Sequence, residues 1–248
     1  MNPLLATLGG MGRSALLCFL LLGLGLASLV WNLAALALLA LLPEAAGRRL
    51  GRAAIARGYA LFWAVAQGVG MMRIDSRALR GLAAQPGGLI VAANHPSMLD
   101  ALLIVACLPR GVCIMKASLM RNVFLGAGAR LARYIRNDSP HGMIGDAVQS
   151  LGEGAHLVLF PEGTRTVRKP VNAFLPGITL IAQRAQVPIQ TVIIDTDSPY
   201  LGKSWPIWRT PPATVKFTLR LGERFAPQAD HAQLLRTLEG YFARELTR

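Results

Sequence analysis

The chain has 248 residues, of which 53% are apolar and 16% charged, and its formal net charge is +13. Such a charge indicates a polyanionic partner, which can be nucleic acid, an anionic membrane surface or a phosphorylated substrate. The basic residues are scattered and show no zinc-finger spacing or aromatic RNA-binding motif, so nucleic acid is not expected. The three cysteines are odd in number and lack metal-ligand spacing, which predicts unpaired thiols in a reducing compartment and argues against a disulfide framework or a zinc site. No metal or other cofactor is expected.

The N-terminal region contains a long apolar run, with no charged side chain between Arg13 and Glu44. A membrane-spanning helix needs about 20 apolar residues, so this run is long enough to cross a bilayer with some tilt. A cleaved signal peptide would have a shorter apolar core and a more basic start. We therefore expect a retained membrane anchor over 1–46. A re-entrant pair of helices, bent near Trp31 and Asn32, is the alternative.

The segment after the apolar run is basic and amphipathic. Four arginines lie near its start: Arg48, Arg49, Arg52 and Arg57. The positive-inside rule then places all that follows in the cytoplasm, at a bacterial-type inner (cytoplasmic) membrane. Apolar residues recur at helical spacing over 47–70, which predicts an amphipathic interfacial helix; a plain helix packed on the following domain is the alternative.

The remainder, residues 71–248, alternates between strand-like and helix-like segments. Strands are predicted at Met71–Asp75, Gly88–Ala93, Gly111–Met115, Tyr134–Arg136, His156–Phe160, Ile189–Ile194 and Thr214–Leu221. A helix is predicted after Asp100, a helical or loop-rich segment at Val123–Arg133, and further helices at Met143–Leu151 and Ala232–Leu246. This alternation predicts one α/β domain with a mixed, largely parallel central sheet flanked by helices.

A first candidate site is the segment Asn94–Asp100, which follows a buried strand. His95 lies at the strand end and Asp100 in the first turn of the next helix, so the carboxylate can reach back to the imidazole. A carboxylate on one ring nitrogen fixes the tautomer and leaves the other nitrogen free to take a proton. In the alternative interpretation, Ser97 and Asp100 form a capping box at an ordinary helix N-terminus.

A second candidate site is the segment Phe160–Arg165, which follows another buried strand. Gly163 permits a tight turn close to a ligand. Thr164 offers a hydroxyl group, and Arg165 offers a planar guanidinium that matches phosphate. Glu162 can accept hydrogen bonds from a glycerol hydroxyl or support the arginine. Alone, this motif is typical of an ordinary turn. It indicates a functional site only because it occurs together with the first motif.

The two motifs together resemble the His-x4-Asp and Glu-Gly-Thr-Arg blocks of the glycerolipid acyltransferases. By pattern they are most similar to those of the 1-acylglycerol-3-phosphate (lysophosphatidate) acyltransferases. The resemblance covers residues 70–220, where Tyr134–Asn137 and Val187–Thr191 resemble two weaker blocks. It implies a glycerolipid acyltransferase-like fold and a membrane-bound enzyme without a cofactor. The donor would be acyl-CoA or acyl carrier protein, and the acceptor a lysophospholipid at an anionic membrane surface.

The resemblance also implies roles for individual residues. His95 would be the general base that deprotonates the acceptor hydroxyl, and Asp100 would orient it and stabilise the imidazolium. Backbone N–H groups near Ser97 are candidates for stabilising the tetrahedral oxyanion. The implied substrate-binding residues are Arg136, Glu162, Gly163, Thr164 and Arg165, with Lys116 as a further phosphate contact.

Departures from the family pattern leave the acceptor open. Thr191 stands where a second proline is common, and Leu175 follows Phe174 where a lysine is common. Another lysophospholipid, an aminolipid or a specialised lipid is therefore an alternative to 1-acylglycerol-3-phosphate. A segment with Trp205 and Trp208 among several prolines is expected to be a structural or membrane-contacting loop, or else to line the acyl site.

Two other functions remain open from the sequence. A thioesterase or lipid hydrolase could use the same His95–Asp100 pair to activate water. The chain has no Gly-x-Ser-x-Gly elbow, which disfavours a serine hydrolase. A non-enzymatic module that binds anionic lipid through its arginines is the third hypothesis, and it leaves His95, Asp100 and Glu162 without roles.

Overall fold

The computed structural model describes residues 3–247, so the first two residues of the expected anchor and the last residue of the expected acyltransferase segment lie outside it. Within this range the chain forms eight α-helices and seven strands. The helices are α1 (Pro3–Leu41), α2 (Glu44–Gly68), α3 (Arg80–Ala83), α4 (Asp100–Ala106), α5 (Gly126–Leu131), α6 (Pro140–Gly152), α7 (Gly177–Ala185) and α8 (His231–Glu245). The strands are β1 (Met72–Asp75), β2 (Leu89–Ala93), β3 (Gly111–Met115), β4 (Ile135–Arg136), β5 (His156–Leu159), β6 (Ile189–Thr196) and β7 (Val215–Phe225).

The strands form one sheet in the order β1-β7-β6-β2-β5-β3-β4. All neighbours are parallel except β6 and β7, which form an antiparallel pair. The prediction of a mixed, largely parallel sheet is confirmed. β2 lies between β6 and β5 near the middle of the sheet, and all five of its residues are buried. Strands buried on both faces have the continuous apolar sequence that β2 shows.

Alternate residues of the central strands β2, β3, β5 and β6 contribute to two separate hydrophobic cores. On β2, Leu89, Val91 and Ala93 pack with residues of α1, α2 and α4, whereas Ile90 and Ala92 pack with residues of α6, α7 and α8. This separation follows from the two-residue period of side chains along a strand. The result is a three-layer α/β/α architecture in which the sheet is covered on both faces.

Most predicted elements are present, and the differences have local physical reasons. Strand β3 has the predicted bounds. Strand β7 continues to Phe225, four residues beyond the predicted end, because its second half pairs with β6. Helix α7 was not predicted, since it begins directly after Pro176 with a glycine, a pair typical of turns. Proline at a helix N-terminus costs no hydrogen bond there, so the helix forms once its apolar face is buried.

Helix α1 is continuous through Trp31 and Asn32, so the bend of the alternative re-entrant arrangement is not found there. The chain turns instead after Leu41, and α2 returns beside α1. Near one end of α1, the Arg13 Nε atom donates to the Pro211 carbonyl at 3.4 Å. Farther along, Asn32 contacts the segment before α5. At 1.5 Å per residue these contacts lie about 30 Å apart, so α1 runs alongside the α/β domain.

The outward face of α1 is apolar. The stretch Gly10–Leu41 is the one helix in the described residues that is long and apolar enough to cross a membrane, with a mean hydropathy of 2.2 and little burial. Its exposed apolar side chains recur at helical spacing; they include Phe19, Leu22, Leu26, Val30 and Leu33. The opposite face packs on the domain through residues such as Leu17 and Leu20. Helix α1 therefore carries two different apolar surfaces, one covered and one open.

Asn32 fixes α1 against the domain. Its side chain is buried, and its Oδ1 atom accepts from the N–H groups of Ala127 and Gly128 at 2.7 and 3.0 Å. Its Nδ2 atom donates to the Val123 carbonyl at 2.6 Å. The N–H groups in the first turn of a helix lack intrahelical partners, so Asn32 caps α5 from a different helix. A Cβ atom at Gly128 would lie 2.6 Å from the Trp31 indole nitrogen, so this contact requires glycine.

We expect replacement of Asn32 by leucine to lower the free energy of unfolding by about 1–3 kcal/mol, because two buried N–H groups lose their acceptor. The measurement is the thermal unfolding midpoint of the detergent-solubilised protein. Leu33→Ala, which truncates an exposed neighbour on α1, is the control and should leave the midpoint unchanged. Equal midpoints for the two variants would contradict the capping role.

Candidate active site

The two sequence motifs meet because their strands are neighbours. β2 and β5 are parallel and adjacent, with Ala92 paired to Leu159 near their carboxyl ends. The residues that follow them, His95 and Glu162, therefore emerge at the same edge of the sheet. In open α/β sheets this carboxyl edge is where ligands bind.

His95 and Asp100 form the expected pair. The His95 Nδ1 atom lies 2.9 Å from the Asp100 Oδ2 atom, which also accepts the Ser97 N–H at 2.8 Å. One oxygen thus serves both the capping box and the imidazole, so the two interpretations of this motif are not exclusive. Helix α4 begins at Asp100, as the predicted helix does, and not directly after Ser97 as a helix capped by that residue would. The Ser97 hydroxyl donates to the Tyr200 carbonyl.

The Asp100 carboxyl group is fully buried, and burial raises its pKa to about 6, against the opposing effect of the hydrogen bond from His95. Its Oδ1 atom has no hydrogen-bond partner among the described residues, which adds to the cost of the charged form. The carboxylate is still ionised near neutral pH. It therefore holds the proton of His95 on Nδ1 and leaves Nε2 as the basic nitrogen. The His95 ring stacks on Phe160 with 4.1 Å between centroids, which fixes its plane.

Glu162 supports the backbone beside His95. Its Oε1 atom accepts from the His95 N–H at 3.0 Å and from the Thr166 hydroxyl at 2.7 Å, and its Oε2 atom accepts from the Asn172 N–H at 2.9 Å. The Thr166 N–H in turn donates to the His95 carbonyl at 2.8 Å. Glu162 is buried and its oxygens are directed at the protein, so its geometry is that of a positioning residue.

Arg165 and Gly163 shape the turn after β5. The Nη1 atom of Arg165 donates to the carbonyls of Leu201 and Gly202, each at 2.9 Å. Gly163 has φ +66°, and a Cβ atom there would overlap the Leu175 side chain. A substitution at Gly163 would therefore strain the backbone and displace a neighbour.

A cavity of about 1080 Å³ opens at this site. The predicted site residues His95, Lys116, Thr164 and Arg165 line its polar end, which we call the mouth, and Gly163 also contributes. The walls away from His95 come largely from apolar residues of the α1–α2 pair; they include Leu20, Leu24, Ala27, Ile55, Phe62 and Val65. The cavity thus joins a basic, polar mouth to a long apolar interior.

The structure brings five of the eight predicted site residues to the lining of this cavity, but Asp100, Glu162 and Arg136 are not among its described lining residues. Arg136 is exposed on β4, with its Nε atom 3.6 Å from Asp138 Oδ1, while its neighbours Tyr134 and Asn137 line the cavity. Lys116 is exposed at the end of β3. A phosphate contact by Arg136 therefore remains a prediction that needs a change of its side-chain conformation.

The expected oxyanion donors near Ser97 are not available. The N–H of Ser97 donates to Asp100, that of Met98 to the Leu201 carbonyl, and that of Leu99 to the Ser97 hydroxyl. These amides close the turn that holds Asp100, so they cannot also face a substrate. Lys116, Thr164 and Arg165 carry other donor groups that line the same cavity.

Sequence reasoning missed Asn94 and Phe160 as contributors. The Asn94 side chain donates to the Ile194 carbonyl at 2.9 Å and accepts the Ile194 N–H at 2.8 Å, which ties the start of the motif to β6. A buried asparagine at the end of an apolar strand was the available signal, because a buried amide must find partners. The stacking role of Phe160 could not be read from its position.

Residues 77–195 match the family model described as Acyltransferase. The mouse 1-acyl-sn-glycerol-3-phosphate acyltransferase alpha is 32% identical over 123 residues, which cover 46% of this chain and 42% of the mouse protein. The 1-acyl-sn-glycerol-3-phosphate acyltransferase of Cocos nucifera is 29% identical over 137 residues. These residues cover 52% of this chain and 44% of the coconut protein. The chain therefore spans less than half the length of these curated relatives.

A solved structure is similar over nearly the whole chain. The 1-acyl-sn-glycerophosphate (LPA) acyltransferase PlsC of Thermotoga maritima has a TM-score of 0.71 and 19% sequence identity. The match covers 98% of this chain and 96% of that chain, and at this identity it shows a shared fold. The family match includes both motifs of the site. Residues 77–195 of this chain are thus similar to the Acyltransferase family, and the curated relatives that the chain resembles are 1-acyl-sn-glycerol-3-phosphate acyltransferases.

Proposed function

We propose that this protein is a membrane-associated O-acyltransferase that moves a fatty acyl group from a thioester to the hydroxyl of a lysophospholipid, with 1-acylglycerol-3-phosphate as the favoured acceptor and phosphatidate as product. The observation that carries the proposal is the His95–Asp100 pair at the mouth of the apolar cavity. The motifs around it are those of the family whose model the chain matches.

In the proposed reaction, His95 accepts a proton from the acceptor and later gives it to the leaving group. His95 Nε2 removes the proton of the acceptor hydroxyl while the oxygen attacks the thioester carbonyl carbon. Asp100 stabilises the imidazolium that forms. The tetrahedral intermediate collapses with cleavage of the carbon–sulfur bond, and the imidazolium returns its proton to the leaving thiolate. The products are an ester and a free thiol, so no acyl-enzyme is required.

The charges at the cavity mouth support a phosphorylated acceptor. Arg165 has one guanidinium nitrogen engaged with backbone carbonyls, which holds the side chain in place beside the cavity. Lys116 lies at the same mouth. A fixed guanidinium and an ammonium group suit a phosphate monoester. The donors acyl-CoA and acyl carrier protein are both acidic, and the net charge of +13 favours their approach.

The open apolar face of α1 supports membrane association. Apolar stripes of this length are rare on soluble proteins and mark surfaces that contact a membrane or a partner. Because α1 contacts the domain at sites about 30 Å apart, we propose that it lies in the plane of the bilayer interface. A crossing orientation would require α1 to separate from the domain. We propose that the domain sits on the cytoplasmic face, where the arginines of α2 match the negative surface charge of that leaflet.

We expect purified wild-type protein in detergent to release thiol from an acyl thioester only when a lysophospholipid acceptor is present. Acyl-CoA and acyl carrier protein are tested separately as donors. His95→Ala should lower the rate by at least about 10²-fold, because the general base is lost. His141→Ala, which removes an exposed histidine, is the matched control. Equal thiol release with and without acceptor would indicate hydrolysis and overturn the proposal.

The rate should fall as the pH decreases through about 6, since burial raises the pKa of Asp100 to about that value. Below it the carboxyl is neutral and no longer stabilises the imidazolium. Because the two groups are coupled, the observed value belongs to the His95–Asp100 pair. The measurement is kcat/KM between about pH 5 and 8, with a rate ten times lower about one unit below the midpoint. A flat profile would contradict the pairing.

Glu162→Gln should lower kcat by about ten- to a hundredfold and leave the KM for the acceptor nearly unchanged. The amide nitrogen of glutamine cannot accept a hydrogen bond from the Asn172 N–H, so the backbone at His95 shifts. Steady-state kinetics separate the two parameters. If KM rises and kcat is retained, Glu162 binds the acceptor instead of positioning His95.

A further inference from the structure

The connection between β6 and β7 contains a compact, exposed segment that the proposed chemistry does not use. We call residues 203–211 the tryptophan loop. Its Trp205 indole nitrogen donates to the Arg209 carbonyl at 2.8 Å, and the Arg209 guanidinium lies 4.6 Å from the centre of the Trp205 ring. The Trp205 ring also packs edge-on against Tyr200. The loop is therefore closed on itself and anchored at one side.

This closed loop presents two large apolar side chains to the outside. Trp208 is 78% exposed and Ile207 is 43% exposed. A rigid turn that exposes a tryptophan and an isoleucine side by side is unfavourable in water. Tryptophan is enriched where a protein surface meets lipid headgroups, because its ring is apolar and its N–H is polar.

The loop is continuous with the proposed membrane face of α1. The Ser14 hydroxyl lies 3.0 Å from the Thr210 hydroxyl, and Arg13 donates to the Pro211 carbonyl. The exposed apolar stripe of α1 starts next to this contact, with Met11 and Phe19. The loop and α1 thus form adjoining parts of one surface.

The charge around the loop fits an anionic lipid surface. Lys203 and Arg209 lie within the loop, and Arg13 lies beside it. No acidic residue occurs between Asp197 and Glu223. Each basic residue near an anionic membrane surface contributes favourably to binding. A protein partner would be expected to meet this surface with acidic side chains, whereas the apolar stripe of α1 beside it favours lipid.

We propose that the tryptophan loop is a second membrane-docking element, which inserts Ile207 and Trp208 among the headgroups of an anionic phospholipid bilayer beside α1. A domain held at the membrane by α1 alone could rotate about the axis of that helix. A second contact through the tryptophan loop would fix the orientation of the domain relative to the bilayer. This proposal rests on the proposed membrane association of the acyltransferase.

Docking through this loop would set the distance between the proposed catalytic site and the bilayer surface. The residues that precede the loop hold the active-site turn: Tyr200 accepts from the Ser97 hydroxyl, and Leu201 accepts from the Met98 N–H and from Arg165. The loop and the His95–Asp100 turn are thus linked by a few short backbone contacts. A loop seated at the headgroups places the mouth of the cavity at the level where an acceptor phosphate lies.

The test compares the double variant Ile207→Ser/Trp208→Ser with the full-length wild-type protein. The probe is vesicles of phosphatidylcholine with phosphatidylglycerol. We expect vesicle binding to weaken about tenfold, since binding scales with inserted apolar area. Leu221→Ser removes an exposed apolar side chain on β7 and serves as the matched control. Circular dichroism establishes that each variant is folded. Unchanged vesicle binding by the folded double variant would overturn the proposal.

A second measurement reads the position of the loop directly. Brominated lipids in the vesicles should quench tryptophan fluorescence, and Trp208→Phe should reduce the quenched fraction. An unchanged quenched fraction would place Trp208 outside the bilayer and overturn the proposal. Both measurements report binding without turnover, so they remain informative if the acyltransferase assay shows no thiol release. Conversely, acceptor-dependent thiol release together with unchanged vesicle binding would overturn the docking role of the loop and support the acyltransferase function.

Discussion

The candidate site depends on the parallel pairing of β2 and β5. This pairing brings two motifs far apart in sequence to one edge of the sheet and allows Glu162 to accept the His95 N–H. The hydrogen bond fixes the backbone from which the imidazole projects, and the Thr166 N–H closes the same contact from the other direction. The position of His95 is therefore determined by the central strands β2 and β5, which are buried.

Asp100 shows how one group can serve folding and chemistry together. Its Oδ2 atom closes the first turn of α4 and holds the imidazole, while Oδ1 is buried and has no partner in the part of the chain that the structure describes. A buried carboxylate is costly, and the raised pKa reflects that cost. Perturbed carboxyl groups of this kind are concentrated at functional sites. The packing of the surrounding core offsets this free-energy cost, because Asp100 begins helix α4, which packs with residues of β2 and β3.

The α1–α2 pair gives the site its apolar environment. Its residues form much of the cavity wall, and Asn32 holds α1 against α5 so that the wall stays in place. The outer face of α1 and the tryptophan loop form an adjoining surface of apolar and basic groups. A substrate with an acyl chain and a phosphate head group could therefore remain partly in a bilayer while its hydroxyl reaches His95.

The sequence by itself determined the α/β class, the strand at Gly111–Met115, the two motifs and their resemblance to glycerolipid acyltransferases. Local patterns suffice for these, because strand periodicity and motif spacing are properties of short segments. Only the tertiary structure decided that Glu162 faces the protein, that the Ser97 amides are occupied, and that α1 lies along the domain. Those outcomes depend on contacts between residues far apart in sequence: Glu162 with His95, Met98 with Leu201, and Asn32 with Val123. Such residues become neighbours only through the order of the strands and the packing of the helices.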